Sequence, residues 1–180
     1  KSKGDKWVKV DSIPGTGDQV YPNLIINGGF TSTYTEILSN GDCESGFTGG
    51  VANGWTDFYA HTFEEENSII NNGSASQKIT ATSTSSLYGG FGDSITLEQG
   101  KEYQFSGWCY SATGSRNFWL VVRDGANAND FIGTPVSIGA GWTKISETFI
   151  FSGTTASNCD LFLKVSAEDQ DEYYFDDFSL

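Results

Sequence analysis

Apolar and polar residues alternate along the stretch 101–123, KEYQFSGWCYSATGSRNFWLVVR, on both sides of the Gly/Ser-rich segment 111–115. Successive side chains of a β-strand point to opposite faces, so this pattern predicts two strands joined by a turn. One face of each strand is apolar, whereas the other combines a tryptophan with hydrogen-bonding side chains. We therefore expect the two strands to pair as a hairpin in one sheet, with their mixed faces on the same side.

In that arrangement five side chains form a platform for a flat, polar ligand: Gln104, Trp108, Tyr110, Trp119 and Arg123. The alternative is that a second layer covers this face and that both tryptophans are ordinary core residues. Glutamine and arginine are seldom buried without partners, which favours the open face.

The rest of the chain consists of short apolar runs separated by glycines and Asn-Gly pairs, which mark tight turns. No window has a sustained period of 3.6 residues, so an all-β class is predicted. Eight or more short strands at this spacing indicate a β-sandwich jelly roll of two antiparallel sheets. The acidic triplet 64–66 is expected to be a solvated loop.

The pattern also divides the chain. Residues 1–36 are mixed and interrupted by Gly and Pro, which is typical of a linker or an N-terminal extension. Residues 37–180 are predicted to form one domain.

Charge narrows the classes of partner. The chain of 180 residues has a formal net charge of −13, so nucleic acid and anionic membrane surfaces are not expected to bind it. No apolar run approaches the length of a membrane span. An acidic, lysine-poor surface rich in Asn, Thr and Gly is typical of secreted or cell-surface bacterial proteins.

Three cysteines cannot all pair with one another. Cys109 falls on the apolar face of its strand and is expected to be a buried thiol. A disulfide between Cys43 and Cys159 is left open by the sequence. The spacing of the cysteines does not match a zinc site.

Six motifs occur in a fixed order between residues 37 and 180: ILSNGDCESG, ANGWTDF, NGSASQKIT, LEQGKEYQFSGW, GWTKISETF and YYFDDFSL. As an ordered set they resemble the carbohydrate-binding modules of families 4, 9, 16 and 22. The resemblance implies a monomeric jelly roll that binds β-linked plant polysaccharide without cutting it and is attached to a secreted glycoside hydrolase. It makes xylan the first expected ligand and β-glucan the second. Cys43 departs from the family pattern, which usually has Phe there.

The residues and the resemblance agree on how a sugar would be held. A pyranose has an apolar face, which stacks on aromatic rings, and a rim of hydroxyls, which bind planar groups such as those of Gln104 and Arg123. By resemblance, Trp55 and Tyr88 are further stacking residues at the mouth of the cleft. For Trp55 the alternative is a buried anchor of the first strand, and Trp142 is expected to serve packing.

The resemblance also implies a structural calcium ion. Its side-chain ligands would be Glu44 and Asp177, with Asn72 and the main-chain oxygens of Asp42 and Ala75 completing the shell. Oxygen ligands from separate segments are what calcium prefers. Without the resemblance, the acidic side chains would be interpreted as solvated.

Catalysis is not expected. Glycoside hydrolysis needs two carboxyl groups facing each other across a cleft, and the predicted platform offers no such pair. The single histidine, His61, has no evident catalytic partner in the sequence. Two other classes remain as alternatives: a jelly-roll lyase or hydrolase, and a structural or adhesin-like sandwich without a sugar ligand.

Overall fold

The computed structural model describes residues 35–56, 61–82, 87–123, 129–153 and 156–180, and within these the side chains of 87–94, 129–132 and 156–158 are left undescribed. Every regular element in these ranges is a β-strand. The strands are β1 (Phe47–Thr48), β2 (Val51–Ala52), β3 (Thr62–Glu66), β4 (Ser76–Thr80), β5 (Leu87–Leu97), β6 (Glu102–Ser111), β7 (Arg116–Arg123), β8 (Asn129–Ile132), β9 (Val136–Ile138), β10 (Thr143–Ile150), β11 (Ala156–Val165) and β12 (Glu172–Ser179). The described part contains no helix that is long and apolar enough to span a membrane.

The strands form two five-stranded antiparallel sheets and one short hairpin. The first sheet has the order β10-β6-β12-β4-β3, and the second has the order β5-β11-β7-β8, with β9 also paired to β7. Strands β1 and β2 make the hairpin. The predicted all-β sandwich of antiparallel sheets is confirmed.

The core lies between the sheets and follows the predicted alternation. Inward-facing side chains that are 0–1% exposed include Phe105 and Cys109 of β6, Phe118, Leu120 and Val122 of β7, and Leu161 and Leu163 of β11. Burial of one such side chain contributes about 1.5–3 kcal/mol. The inner faces of β6 and β7 thus oppose each other across the core.

The hairpin predicted from β6 and β7 is wrong. Strand β6 pairs with β10 and β12 in the first sheet, whereas β7 pairs with β11, β8 and β9 in the second. The connection 112–115 therefore crosses from one sheet to the other. Alternation cannot distinguish this arch from a hairpin, because both arrangements bury the same apolar faces. The mixed faces of β6 and β7 consequently lie on opposite sides of the sandwich.

The acidic triplet is also not a loop, because Glu64, Glu65 and Glu66 lie in the edge strand β3. The ammonium of Lys78 on β4 lies 3.2 Å from the Glu64 carboxylate across the strand pair. Charged side chains on an edge strand discourage pairing with a strand of another chain. The triplet therefore protects the exposed edge of the first sheet, a role that the predicted loop would not have.

All three cysteines are buried thiols, and Cys43 and Cys159 do not form a disulfide. Burial raises the pKa of the Cys109 thiol well above its usual value. The thiols therefore pack as small apolar groups.

The beginning and end of the domain are adjacent. The chain divides into the units Lys1–Tyr34 and Thr35–Leu180. In the second unit the Ile37 amide donates to the carbonyl of Leu180 at 3.1 Å, and the Glu36 carboxylate accepts from the Leu180 amide at 3.1 Å. The predicted extension 1–36 lies almost entirely outside the described residues, so its boundary stays a prediction.

One buried carboxylate ties three parts of the sandwich together. Asp171, 5% exposed in the turn before β12, accepts from Arg116 Nε at 2.7 Å, from the Tyr173 hydroxyl at 2.8 Å and from the Glu168 amide at 2.9 Å. Burial alone would raise the pKa of Asp171, but these hydrogen bonds outweigh it and lower the pKa to about 2. The folded state therefore stabilises the ionised form of the Asp171 carboxyl group.

We expect Asp171→Asn to lower the free energy of unfolding at pH 7 by about 2 kcal/mol. Because folding depresses this pKa, the contribution is complete above the unfolded value near 4 and is lost as the pH falls towards 2. Urea unfolding of both proteins between pH 7 and pH 2 should show the difference shrinking. Glu168→Gln is the control, since its exposed ion pair with Arg116 contributes only about 0–1 kcal/mol. A difference that stays constant with pH would contradict the assignment.

Candidate functional site

The sandwich presents two outer faces, and the predicted platform is divided between them. Gln104, Trp108 and Tyr110 lie on the outer side of the first sheet, here called the β6 face. Trp119 and Arg123 lie on the outer side of the second sheet, here called the β7 face. The structure therefore does not bring these five side chains together.

On the β6 face, Tyr110 stands at the centre of an aromatic cluster. Its ring centroid lies 5.8 Å from that of Trp142 and 5.5 Å from that of Tyr174, at interplanar angles of 55° and 85°. Tyr174 is 3% exposed, whereas Tyr110 and Trp142 are half-buried. Trp108 is half-buried one row away, beside Lys144 of β10.

Ion pairs fix one side of this cluster. Lys78 lies 2.8 Å from Glu172 and 3.2 Å from Glu64, and the Tyr174 hydroxyl donates to Glu172 at 3.1 Å. The hydrogen bond from Lys78 lowers the pKa of Glu172. Burial, together with the bond to Glu172, raises the pKa of Tyr174 to about 12. Both groups therefore keep one charge state at neutral pH.

On the β7 face, two cations cover two aromatic rings. The ammonium of Lys164 lies 5.3 Å from the centre of the Trp119 ring, and the Arg123 guanidinium lies 4.8 Å from the centre of the Phe162 ring. The two cation–ring contacts are neighbours because β11 and β7 are hydrogen-bonded, with Lys164 opposite Trp119 in the register. Trp119, Arg123 and Lys164 are half-buried, and Phe162 is 2% exposed. The result is a strip of rings and cationic groups across both strands.

The same strip contains an acidic group and adjoins a third strand. Asp160 pairs with Arg123 across β11 and β7; burial raises the Asp160 pKa, and Arg123 opposes this shift. The backbone of Tyr88 on β5 pairs with Lys164, so Tyr88, Lys164 and Trp119 occupy one register row. The Tyr88 side chain lies outside the described part, and its predicted stacking role stays a prediction.

Trp55 has the position of an anchor. It is 9% exposed, its indole N–H donates to the carbonyl of Asn40 at 2.8 Å, and its ring meets Phe178 edge-on at 6.0 Å. This is the alternative that the sequence left open. The indole leaves little surface on which a sugar could stack.

The residues proposed for calcium meet around the loop 71–75. Glu44 accepts from the Ser74 amide at 2.8 Å, the Ser74 hydroxyl at 2.6 Å and the Ala75 amide at 3.1 Å. Asp177 accepts from the Asn71 side chain at 2.8 Å. Asp42 and Asp177 line one cleft of about 320 Å³. The 40–46 turn and the end of β12 therefore both meet this loop at one corner of the domain, although among the described residues no group of three or more His, Cys, Asp or Glu side chains is placed to hold a metal ion.

A β-bulge creates this corner. Asp177 has φ 49° and interrupts the pairing of β12 with β6, so Phe178 turns into the core. There its ring occupies the space beside Gly107 that an added Cβ would need. The neighbouring Asp176 is fully buried on the opposite side, and burial raises its pKa to about 6.

The sequence alone does not single out Lys164 and Phe162 on one face or Tyr174 on the other, and Trp142 was expected to serve packing. Lys164 and Phe162 alternate with the buried residues of β11 in the same way that Trp119 does on β7. That alternation was the available signal. Trp142 and Tyr174 become neighbours of Tyr110 only through strand register, which the sequence does not specify.

Comparison with known proteins decides the class. The family model for the carbohydrate binding domain of families 4 and 9 matches residues 22–170. The chain belongs to this family. The chain is a carbohydrate-binding module, which confirms the resemblance found in the sequence. No curated protein matches the sequence.

Solved structures share its fold. The family 22 xylan-binding domain of Xyn10C from Paenibacillus barcinonensis has a TM-score of 0.52 and 19% identity, covering 72% of this chain and 86% of that one. A xylanase 10B structure from Clostridium thermocellum, comprising a family 22 module and a catalytic module with xylohexaose, has a TM-score of 0.55 and 23% identity, covering 70% and 25%. The arabinose-bound arabinofuranosidase MgGH51 has a TM-score of 0.67 and 17% identity, covering 84% and 27%.

Two carboxyl groups among the described residues have a raised pKa, Asp160 and Asp176. Asp160 lies on the outer side of the second sheet, and Asp176 belongs to the first sheet.

We expect Trp55→Phe to lower the free energy of unfolding by about 1–2 kcal/mol, because the Asn40 carbonyl keeps only the Cys43 amide as a donor and the smaller ring leaves part of the indole volume unfilled. Polysaccharide affinity should stay within twofold of the native value. Urea unfolding and calorimetric titration measure the two effects. An unchanged stability with a clear loss of affinity would instead make Trp55 a ligand residue.

Proposed function

We propose that the β7 face is the principal polysaccharide-binding surface of this module. The ligand is β-linked plant polysaccharide, with xylan the first choice and β-glucan the second. The observation that supports this choice is the register row of Tyr88, Lys164 and Trp119, flanked by Arg123 over Phe162. Two of the sugar-binding residues expected from the sequence, Trp119 and Arg123, lie together there.

The chemistry of the strip suits a sugar. The apolar face of a pyranose stacks on an indole ring, while its hydroxyls bind groups at the ring edge. Arg123 and Lys164 donate hydrogen bonds, and Asp160 accepts them when ionised. A polysaccharide chain that crosses β7 and β11 would contact these groups one after another.

A sugar must compete with Lys164 for the face of Trp119. A cation over an exposed ring contributes about 0.5–1 kcal/mol. Stacking of a nucleobase on an aromatic side chain is worth about 1–3 kcal/mol, and we take the same range for a pyranose. Stacking therefore prevails, and the displaced ammonium would move to the hydroxyl rim of the sugar.

The biological setting is part of the proposal. The similar Paenibacillus domain is described as xylan-binding, and the similar Clostridium structure joins a family 22 module to a catalytic module with bound xylohexaose. By analogy, this module targets an attached glycoside hydrolase to its substrate outside the cell. Two or three stacking contacts give micromolar to millimolar affinity, which suits targeting.

We expect Trp119→Ala to raise the Kd of the tightest binding event by roughly 5- to 150-fold, the equivalent of losing one stacking contact. Titration calorimetry with xylohexaose and with a β-glucan hexasaccharide measures this change and ranks the ligands. Asn117→Ala is the matched control, since Asn117 is exposed two residues away on the same face.

Three results would oppose this proposal. An unchanged Kd in a folded Trp119→Ala protein would exclude the β7 face. Shortened polysaccharide after incubation with the native module would indicate a lyase or hydrolase. Failure to bind any of xylan, β-glucan, mannan and cellulose would indicate a structural sandwich.

We also propose a structural calcium ion at the corner formed by Asp42, Glu44, Asn72, Ala75 and Asp177. The donor set consists of oxygens, which matches calcium. An ionised carboxylate has about four lone-pair sites, and three of those on Glu44 accept hydrogen bonds, which leaves one for the ion. The ion would strengthen the junction of the 40–46 turn, the 71–75 loop and the end of β12.

Calcium should raise the melting temperature relative to the same protein in a chelator, because the ion binds only the folded state. Glu44→Gln should remove the difference between calcium and chelator, whereas Glu65→Gln, on the edge strand, should keep it. Differential scanning calorimetry of each protein under both conditions makes the comparison. Identical melting of the native module in calcium and in chelator would exclude the ion.

A further inference from the structure

We propose that the module has a second saccharide-binding surface on the β6 face, centred on Tyr110 and Trp142. Its ligand is a neutral polysaccharide chain of the class that binds the β7 face, so this inference rests on the proposed function for the class of ligand. The two surfaces lie on opposite sides of the sandwich, because β6 and β7 belong to different sheets.

The aromatic rings of the β6 face lie outside the hydrophobic core. The core cluster of the described residues, together with the partly buried side chains packed against it, does not include Trp108, Tyr110 or Trp142. These three side chains are half-buried, with part of their surface on the outer side of the sheet. Only Tyr174, 3% exposed, is covered, and it supports the Tyr110 ring edge-on at 5.5 Å. The rings are thus held in place while part of their surface faces solvent.

Hydrogen-bonding groups continue along the same face. The exposed side chains in the rows next to the rings are Gln104 of β6 and Lys144, Ser146 and Thr148 of β10. On the other side of the rings, the Glu172 carboxylate is held by Lys78 and Tyr174. Donors and acceptors therefore border the rings on two sides, as the hydroxyl rim of a sugar requires.

A narrow sugar chain fits this surface better than a protein partner. A protein interface needs a broad apolar centre and about 1,000 Å² or more of buried area. Here the aromatic island is narrow and flanked by polar side chains, and Lys78 is bracketed by Glu64 and Glu172. Tyr110 and Trp142 are inclined at 55°, so a chain that turns between units can stack on both rings.

Two surfaces would let one module bridge two polysaccharide chains. Native protein should bind two xylohexaose molecules per chain and should precipitate soluble xylan. Trp119→Ala should weaken one of these two events by roughly 5- to 150-fold, leave the other unchanged and precipitate less xylan. In that background, Trp142→Ala should weaken the other event by the same factor.

Calorimetric stoichiometry and light scattering of xylan mixtures test this, with cellohexaose as the second probe. Ile150→Ala is the control, since Ile150 is 63% exposed on the outer side of β10 without neighbouring rings in the described contacts. Near-UV circular dichroism checks that each variant is folded.

The outcomes separate the two proposals. One site in the native module and none in Trp119→Ala, with either probe, would overturn the second surface and leave the β7 face intact. Loss of all binding in Trp142→Ala, with Trp119→Ala unaffected, would support the β6 face and overturn the β7 face. Binding that Trp142→Ala does not change in the Trp119→Ala background would also overturn the second surface.

Discussion

Burial of the inner faces of the two sheets is the constraint on which the rest of this structure depends. Phe105 and Cys109 on one sheet and Leu120 and Leu163 on the other are at most 1% exposed. When alternate residues of a strand are fixed in the core, the residues between them are fixed on the outer side. Trp108, Trp119 and Lys164 are therefore outward-facing because of what packs behind them. The surfaces that could bind a ligand are a geometric consequence of the core.

The same constraint explains which parts of the fold were predictable. Alternation in 101–123 correctly assigns the buried and outward residues of β6 and β7, because the period of two is a local property. It does not determine which strands share hydrogen bonds. An arch and a hairpin bury identical side chains, and only the whole set of pairings, with β12 and β10 beside β6, decides between them. The predicted single platform failed at this non-local step.

For the candidate site too, local features were predictable from the sequence and non-local contacts were not. Trp119 and Arg123 were recognised from their own strand, whereas the row that joins Trp119 to Lys164 depends on register between distant segments. Trp55 shows the converse, since its sequence context matched a family ligand position while its indole N–H satisfies the Asn40 carbonyl. A tryptophan with a buried hydrogen bond and one with a solvent-facing ring are indistinguishable until the third dimension is known.

The hydrogen bond between the Ile37 amide and the Leu180 carbonyl has a consequence for how this domain can be carried. Polypeptide continuing before residue 37 and polypeptide continuing after residue 180 would leave from a single point. Segments attached on either side would therefore hold the domain at one place on its surface.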